Sequence, residues 1–336
     1  MKMYSRALLS CLLLSLSLPA AQARESCAFL RDPAFYARTP VAPARLQELT
    51  VGTLNVYRLF DDEQDGNESI LLTGREFRER VERIARYIVR DMGAPQVIAL
   101  QEVEDDTALG ALAAALGKQT GRPYRAVLGG VSGDGDMRNA LLVDTRVQLR
   151  NTVSLFARAP RDGKPLHDRL PLVADLDAGD HGALTVVVVH MKSMRGMDRG
   201  GDAGRVISKR RFQAQELANW VRAQRADRRL LVLGDFNAPV TGSDDERGEP
   251  LHILAAGGLL VDPAGRFLKP SQRWTYKYRC LLQQIDHVLV SPSVEPQITG
   301  YAIARGDTCI RAREKCDVKK SVSDHDGVVL RLGRKQ

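Results

Sequence analysis

The chain has 336 residues, with 49 Lys and Arg against 41 Asp and Glu, for a formal charge of +8; 44% of it is hydrophobic. That is enough to bury a large core. The lack of repeats, low-complexity stretches and apolar runs of about twenty residues past the N-terminus excludes a repeat array, a disordered chain and a membrane-spanning helix.

The first 23 residues read as an export signal. Lys2 and Arg6 precede an apolar run from Ala7 to Leu18, and Ala21-Gln22-Ala23 has the small-x-small form that signal peptidase cuts after. Cys11 lies inside the apolar run rather than at its end, which argues against a lipid anchor. A secreted or periplasmic protein is expected, and cleavage lowers the formal charge to +6. Four cysteines would remain, Cys27, Cys280, Cys309 and Cys316. An even number in an oxidising compartment predicts two disulfides, and the absence of any CxxC pair argues against zinc. Cys309 and Cys316 are close enough to close a small loop, leaving Cys27 for Cys280; three pairings remain formally open.

Residues 24–45 read as an irregular strap before a domain over 46–334. Leu49 to Val56 has the β-branched content of a strand. Asp61 to Glu68 is an acidic loop. Thr73 is placed to cap a helix carrying Phe77, Val81, Ile84 and Ile88 on one face. Gln96 to Leu100 is a buried strand, and Ala108 to Leu116 a second helix. Strands then dominate: Ala140 to Val143, Val147 to Phe156, Leu170 to Leu176 and Leu184 to His190. A basic helix over Val206 to Arg225 leads into Arg229 to Leu233, and further strands are expected at Ile285 to Val290, Ile298 to Ala304 and Val328 to Leu332. Two packed sheets with helices outside account for this order.

Polar groups collect at strand ends, where ligands bind in layered α/β structures. Asn55 lies at the end of the first strand, Glu102 follows the second, His190 ends the valine run, and Asp235 and Asn237 end the next strand. Asp286 opens a strand, and Asp324 and His325 precede the last. One such cluster is commonly just a turn; six converging segments are not. Carboxylates, amides and imidazoles without thiolates suit Mg²⁺ or Mn²⁺, with Ca²⁺ as a third candidate. Between Lys192 and Arg229 there are eleven Lys and Arg against four Asp and Glu. A polyanion-binding surface and a merely solvated helix face fit that pattern equally.

The blocks TLNV, LQEV, VVHMKS, LGDFNA, QIDHVLV and SDHDGV, in this order, resemble the endonuclease/exonuclease/phosphatase family in its deoxyribonuclease I-like branch. RVERIARYI, HMKS with the basic helix, and RWTYKYR look closest to secreted bacterial nucleases of that family. The resemblance implies a four-layer α/β/β/α sandwich and a divalent-metal-dependent phosphodiester hydrolase. It implies Glu102, Asn55 and Asp324 as metal ligands, and Asp235 as the residue that orients or deprotonates the attacking water. Asn237, His190 and His325 would contact the phosphate, with Asp286 orienting His325. The acid that orients the first histidine in the deoxyribonuclease branch is missing at Tyr124-Arg125-Ala126, so His190 lacks an expected partner. Arg138 or Asn139 falls where members place a phosphate contact. Lys192, Lys209, Arg210, Arg211 and Tyr276 are candidates for holding and stacking a nucleic acid. DNA is the expected substrate and RNA an alternative, for a monomer without stable membrane association. A phospholipid or inositol-phosphate phosphodiesterase ranks second, because aromatics make up only 5% of the chain. A catalytically inactive binding protein ranks third.

Overall fold

The alternation of apolar side chains along the strands decides which face each presents. In the first strand Leu49 and Val51 point to one side and Leu54 and Val56 to the other, and all four are buried. The computed structural model describes residues 31–64, 70–132, 136–158, 160, 161, 163–312 and 316–335. Residues up to Tyr36 form one unit, whose described part holds a 3-10 turn at Pro33–Tyr36. Ala37 onward is the second unit, described below.

Its elements are β1 (Leu49–Leu59), α1 (Gly74–Arg90), β2 (Val97–Val103), α2 (Asp106–Thr120), β3 (Tyr124–Leu128), β4 (Arg138–Asp144) and β5 (Gln148–Ser154). A two-residue pair follows, β6 (Pro160–Arg161) with β7 (Lys164–Pro165), then β8 (Leu172–Asp177), β9 (Ala183–His190) and α3 (Gly200–Gln224). The chain ends with β10 (Leu230–Asp235), α4 (Glu249–Ala255), α5 (Ala264–Phe267), β11 (Tyr276–Tyr278), β12 (Leu281–Gln283), β13 (Asp286–Val290), β14 (Ile298–Ala304) and β15 (Gly327–Leu332).

Two mixed sheets carry the fold. One has the order β14-β15-β1-β2-β4-β3, the other β13-β10-β9-β8-β5. Each holds a single parallel pair, β1 with β2 and β9 with β10; the other neighbours run antiparallel. Between the sheets lie Val51, Ala99, Leu141, Val186, Val188, Leu231, Leu233, Val288 and Leu330. Outside the first sheet, Leu54, Ile98 and Leu100 meet α1 and α2 through Val81, Ile84, Ile88, Leu109 and Leu112. Outside the second, Val187, Val189 and Val232 meet Leu217, Ala218 and Val221 of α3 and Leu251 and Leu254 of α4. These are the four α/β/β/α layers. Val187 and Val188 face opposite cores, which is why the whole valine run is apolar.

Local signals set the helix ends. Thr73 and Glu76 form a reciprocal capping box at α1: Thr73 N–H donates to Glu76 Oε2 at 2.8 Å, and Glu76 N–H to Thr73 Oγ1 at 3.3 Å. Asp105 caps α2, which stops at left-handed Gly121. Helix α3 starts six residues before the expected Val206, through Gly200, Gly201 and Gly204, whose low helix propensity hides the start. Strand β3, the β11–β12 hairpin and the short α4 and α5 were not apparent in the sequence. The predicted Cys309–Cys316 bridge is present, with a Cα–Cα distance of 5.5 Å. Cys280 is also disulfide-bonded; its expected partner Cys27, like residues 1–23, lies outside the described residues.

Candidate active site

The β1–β2 pair is interrupted by a bulge after Asn55, at the place where the β9–β10 pair ends. Asn55 of β1 and Glu102 of β2 meet His190 of β9 and Asp235 of β10, so one cleft draws on both sheets. Asn55 Nδ2 donates to Glu102 Oε1 at 3.1 Å and to Asp235 Oδ2 at 3.2 Å. His190 Nε2 lies 3.4 Å from Asp235 Oδ2 and 4.0 Å from Glu102 Oε1. His190 Nδ1 is buried without a hydrogen-bond partner among the described residues, as expected from the missing acid.

The SDHD segment arrives from the far end of the chain. Ser323 fixes it: its hydroxyl donates to Asn55 O at 2.5 Å and accepts from His325 N–H at 2.9 Å. His325 Nδ1 donates to Asp286 Oδ2 at 2.8 Å, which leaves Nε2 4.0 Å from Asp235 and 3.8 Å from Asp324. The Tyr276 ring packs against that imidazole, with centroids 4.8 Å apart. Asp326 anchors the segment's other side, accepting from Arg311 NH1 at 2.7 Å and Thr308 Oγ1 at 2.6 Å. Arg80, wholly buried, donates to Val56 O at 2.7 Å, Tyr57 O at 2.6 Å and Ser321 O at 2.6 Å, tying the end of β1 to the segment before Ser323.

Backbone shape matters at three positions. Glu102 (φ 65°) and Asn237 (φ 49°) are left-handed, a state asparagine adopts readily but that is costly for glutamate and recurs at functional sites. Gly234 has φ 141°, and a Cβ there would collide with the Val189 carbonyl, so only glycine brings β10 close enough to β9. Asn237 N–H then donates to Asp235 Oδ1 at 2.7 Å, and its amide to Met191 O at 3.1 Å.

The electrostatics follow from burial and crowding. Burial, with Asp286 and Glu102 nearby, pushes Asp235 up to about 7 against the pull of His325. Asp324 is pushed up to about 6, first by burial and then by Glu102 and Asp286. Burial alone would lower His325, but Asp286 and Asp324 hold it well above its ordinary value. Burial, Arg169, His325 and Lys192 hold His190 well below it, so it is neutral.

Two groups of acidic and imidazole side chains bring ligand atoms within 4.8 Å of one another: Asp235, Asp286 and His325, and separately Asp61, Glu104 and Asp105. In the first, the 2.8 Å bond already occupies Asp286 and His325, so it reads as a hydrogen-bonded relay. Glu102 and Asp324 suit a divalent cation better. Both are partly open, with side-chain exposures of 17% and 23%, both offer hard oxygens, and Glu102 raises the cost of charging Asp324.

The sequence-derived basic contacts need correction. Arg210 is buried and donates to Lys192 O at 2.6 Å and Arg247 O at 2.7 Å, so it is an internal strut. Lys209 is paired with Asp168 at 2.8 Å and Arg211 with Glu249 at 2.6 Å. Asn139 is fully buried with its amide on Leu170 O, and Arg138 donates to the Glu104 carbonyl; neither presents itself as a phosphate contact. Lys192 stays half-buried beside His190, its Nζ 3.2 Å from Ser193 Oγ. The sequence reading missed Arg169, whose charge acts on both His190 and Lys192. Its Nε is buried without a partner among the described residues.

Known structures share this architecture. An endonuclease/exonuclease/phosphatase from Beutenbergia cavernae is similar at 19% identity, with a TM-score of 0.60 over 86% of this chain and 72% of that one. The 3′ phosphatase NExo from Neisseria, bound to product DNA hairpin, gives 19%, 0.55, 84% and 99%. Truncated TDP2 from Caenorhabditis elegans gives 16%, 0.55, 85% and 97%. No curated protein matches in sequence. The sequence pattern of the Endonuclease/Exonuclease/phosphatase family matches residues 52–325, and the chain belongs to that family of metal-dependent phosphoesterases.

Proposed function

We propose that the protein is an exported, Mg²⁺-dependent nuclease that hydrolyses phosphodiester bonds of DNA. The observation that carries this reading is the convergence of Asn55, Glu102, His190, Asp235, Asn237, Asp286 and His325 where the β1–β2 pair bulges and the β9–β10 pair ends. Glu102 and Asp324 would hold the cation, which when bound neutralises phosphate charge and stabilises the leaving oxygen. Asn55, expected as a third ligand, instead turns its amide hydrogens to Glu102 and Asp235 while its Oδ1 accepts from Tyr57 N–H at 2.9 Å, so it positions the two carboxylates. Asp235, pushed up to about 7, is matched to taking a proton from water near neutral pH. His325, charged and held by Asp286, and the remaining amide hydrogen of Asn237 bind non-bridging phosphate oxygens. His190 is neutral and donates from one nitrogen only. Arg169 and Lys192 add positive charge on the His190 side.

Support for DNA comes from the product DNA hairpin bound to the similar NExo. The N-terminal signal pattern and the Cys309–Cys316 bridge support export to an oxidising compartment. No helix among the described residues is long and apolar enough to cross a membrane. Purified mature protein is to be incubated with plasmid DNA, RNA, sphingomyelin vesicles and p-nitrophenyl phosphate, each with Mg²⁺ or with EDTA. Metal-dependent nicking of the plasmid is expected. Intact nucleic acids beside cleaved sphingomyelin would refute the assignment.

A further inference from the structure

The β11–β12 hairpin carries an exposed pair of side chains that the mechanism above does not use. Residues two apart on a strand share a face. Tyr276 turns its ring onto His325, so Tyr278 projects from the same face, about 7 Å further along the strand. Tyr278 is 49% exposed, and its cross-strand partner Leu281 is 51% exposed. Only Arg279 and Cys280 join the two strands. Arg279 takes the left-handed conformation (φ 53°) that a tight hairpin turn demands, where glycine or asparagine would fit at less cost. Its guanidinium instead lies 5.3 Å from the Tyr278 ring centre and makes no ion pair among the described residues. An aromatic ring with a cation beside it, on the strand that touches the catalytic imidazole, matches what an unpaired nucleotide needs: a surface for its base and a charge for its backbone.

We propose that Tyr278, with Arg279, is a stacking platform for an unpaired base next to the scissile phosphate, making single-stranded nucleic acid the preferred substrate class. The inference rests on the nuclease reading of the same site. A duplex keeps its base faces covered by neighbours, so it gains little from such a platform. A membrane is the poorer occupant, because the tip offers one leucine and one tyrosine and would have to bury an arginine.

Cleavage of a single-stranded oligothymidylate is to be compared with cleavage of a base-free deoxyribose-phosphate oligomer of equal length, using the mature protein with Mg²⁺. Both carry the same phosphates, and only one can stack. Tyr278→Ala is expected to lower the ratio of the two kcat/KM values at least about fivefold, in line with one lost base–aromatic stack. Tyr278→Phe should keep the ratio, and Arg279→Ala should lower affinity for both oligomers. An unchanged ratio in Tyr278→Ala overturns the platform. Fluorescence anisotropy of labelled oligothymidylate with Ca²⁺ reads the platform separately from cleavage. Weaker binding by Tyr278→Ala supports the stacking contact independently of turnover, and equal binding overturns it. A wild type that binds oligothymidylate yet cleaves only another phosphodiester overturns the nuclease reading and with it the substrate preference. Loss of sphingomyelin-vesicle binding in Tyr278→Ala and Leu281→Ala, with oligonucleotide binding intact, overturns it in favour of a membrane contact.

Discussion

The Asp286–His325 pair is the most exposed joint in the proposed mechanism. Their 2.8 Å bond is buried, and the second oxygen of Asp286 has no hydrogen-bond partner among the described residues, so orienting this imidazole is the carboxylate's visible task. A hydrogen bond to a charged group contributes about 1.5–3 kcal/mol. If Asp286→Asn loses that in the transition state, kcat falls on the order of 10- to 100-fold. The amide would also turn an N–H toward Nδ1 and shift the imidazole proton to Nε2. His325→Ala removes the group itself and should cost about 10²- to 10⁴-fold. The double variant should then be barely slower than His325→Ala alone, because the carboxylate has nothing left to orient. The assay is kcat/KM on the cleaved substrate, with thermal melting to confirm that each variant is folded. Losses that multiply in the double variant would falsify the pairing and make Asp286 an independent contributor.

Three further outcomes are expected. EDTA should abolish activity and Mg²⁺ or Mn²⁺ restore it, while Glu102→Gln should raise the half-activating metal concentration at least about tenfold; full activity in EDTA removes the metal from the mechanism. Arg210→Ala should destabilise the fold by about 3 kcal/mol, since it strands the Lys192 and Arg247 carbonyls in the interior, whereas Arg211→Ala on the surface should shift stability by under about 1 kcal/mol; equal effects in denaturant titrations contradict the strut. The Asp262–His287 pair, 3.1 Å apart, should stabilise most in a pH window. His287 is raised from 6.5 because Asp262 and the Ala238 carbonyl outweigh burial, so its contribution is full below pH 6.5 and lost as pH rises through the raised value. Asp262 is lowered from 3.8 because His287 outweighs burial, so its contribution holds above 3.8 and fades as pH falls through the lowered value. The stability deficit of Asp262→Asn should therefore be largest between about pH 4 and 6.5 and shrink in alkali; a deficit that grows with pH reverses the assigned charge.

The strand-end groups were legible because strands are short, their periodicity is two, and a polar residue after an apolar run has one place to go. Asn55, Glu102, His190, Asp235 and the Asp286–His325 pair all follow from that logic and from the six family blocks. Arg210 was misread for an equally physical reason. Net charge counts residues without asking which way they face, yet Arg210 sits four residues after Val206 and four before Ala214, on the stripe that α3 buries. The same spacing places Arg80 beside Phe77, Val81 and Ile84 in α1. An arginine on an apolar stripe is a signal of an internal strut, and it was available in the sequence. Arg169 gave no such signal, because it precedes β8 and its neighbours His190 and Lys192 come from another strand end.

The charges at the site constrain what it can bind. Glu102, Asp235, Asp286 and Asp324 crowd together with only one charged imidazole, His325, because His190 is held neutral. Burial first, and the neighbouring carboxylates second, push Asp235 up to about 7 and Asp324 up to about 6. Left so, the cleft would repel a phosphodiester, whose own charge adds to the same excess. The excess lies mainly where Glu102 and Asp324 open to solvent, the side assigned to a divalent cation. Around His190, whose Nε2 lies 4.0 Å from Glu102, Arg169 and Lys192 supply positive charge. Asp235 lies 3.4 Å from His190 and is pushed up to about 7, so in the proposed mechanism it is the carboxylate matched to taking a proton at neutral pH.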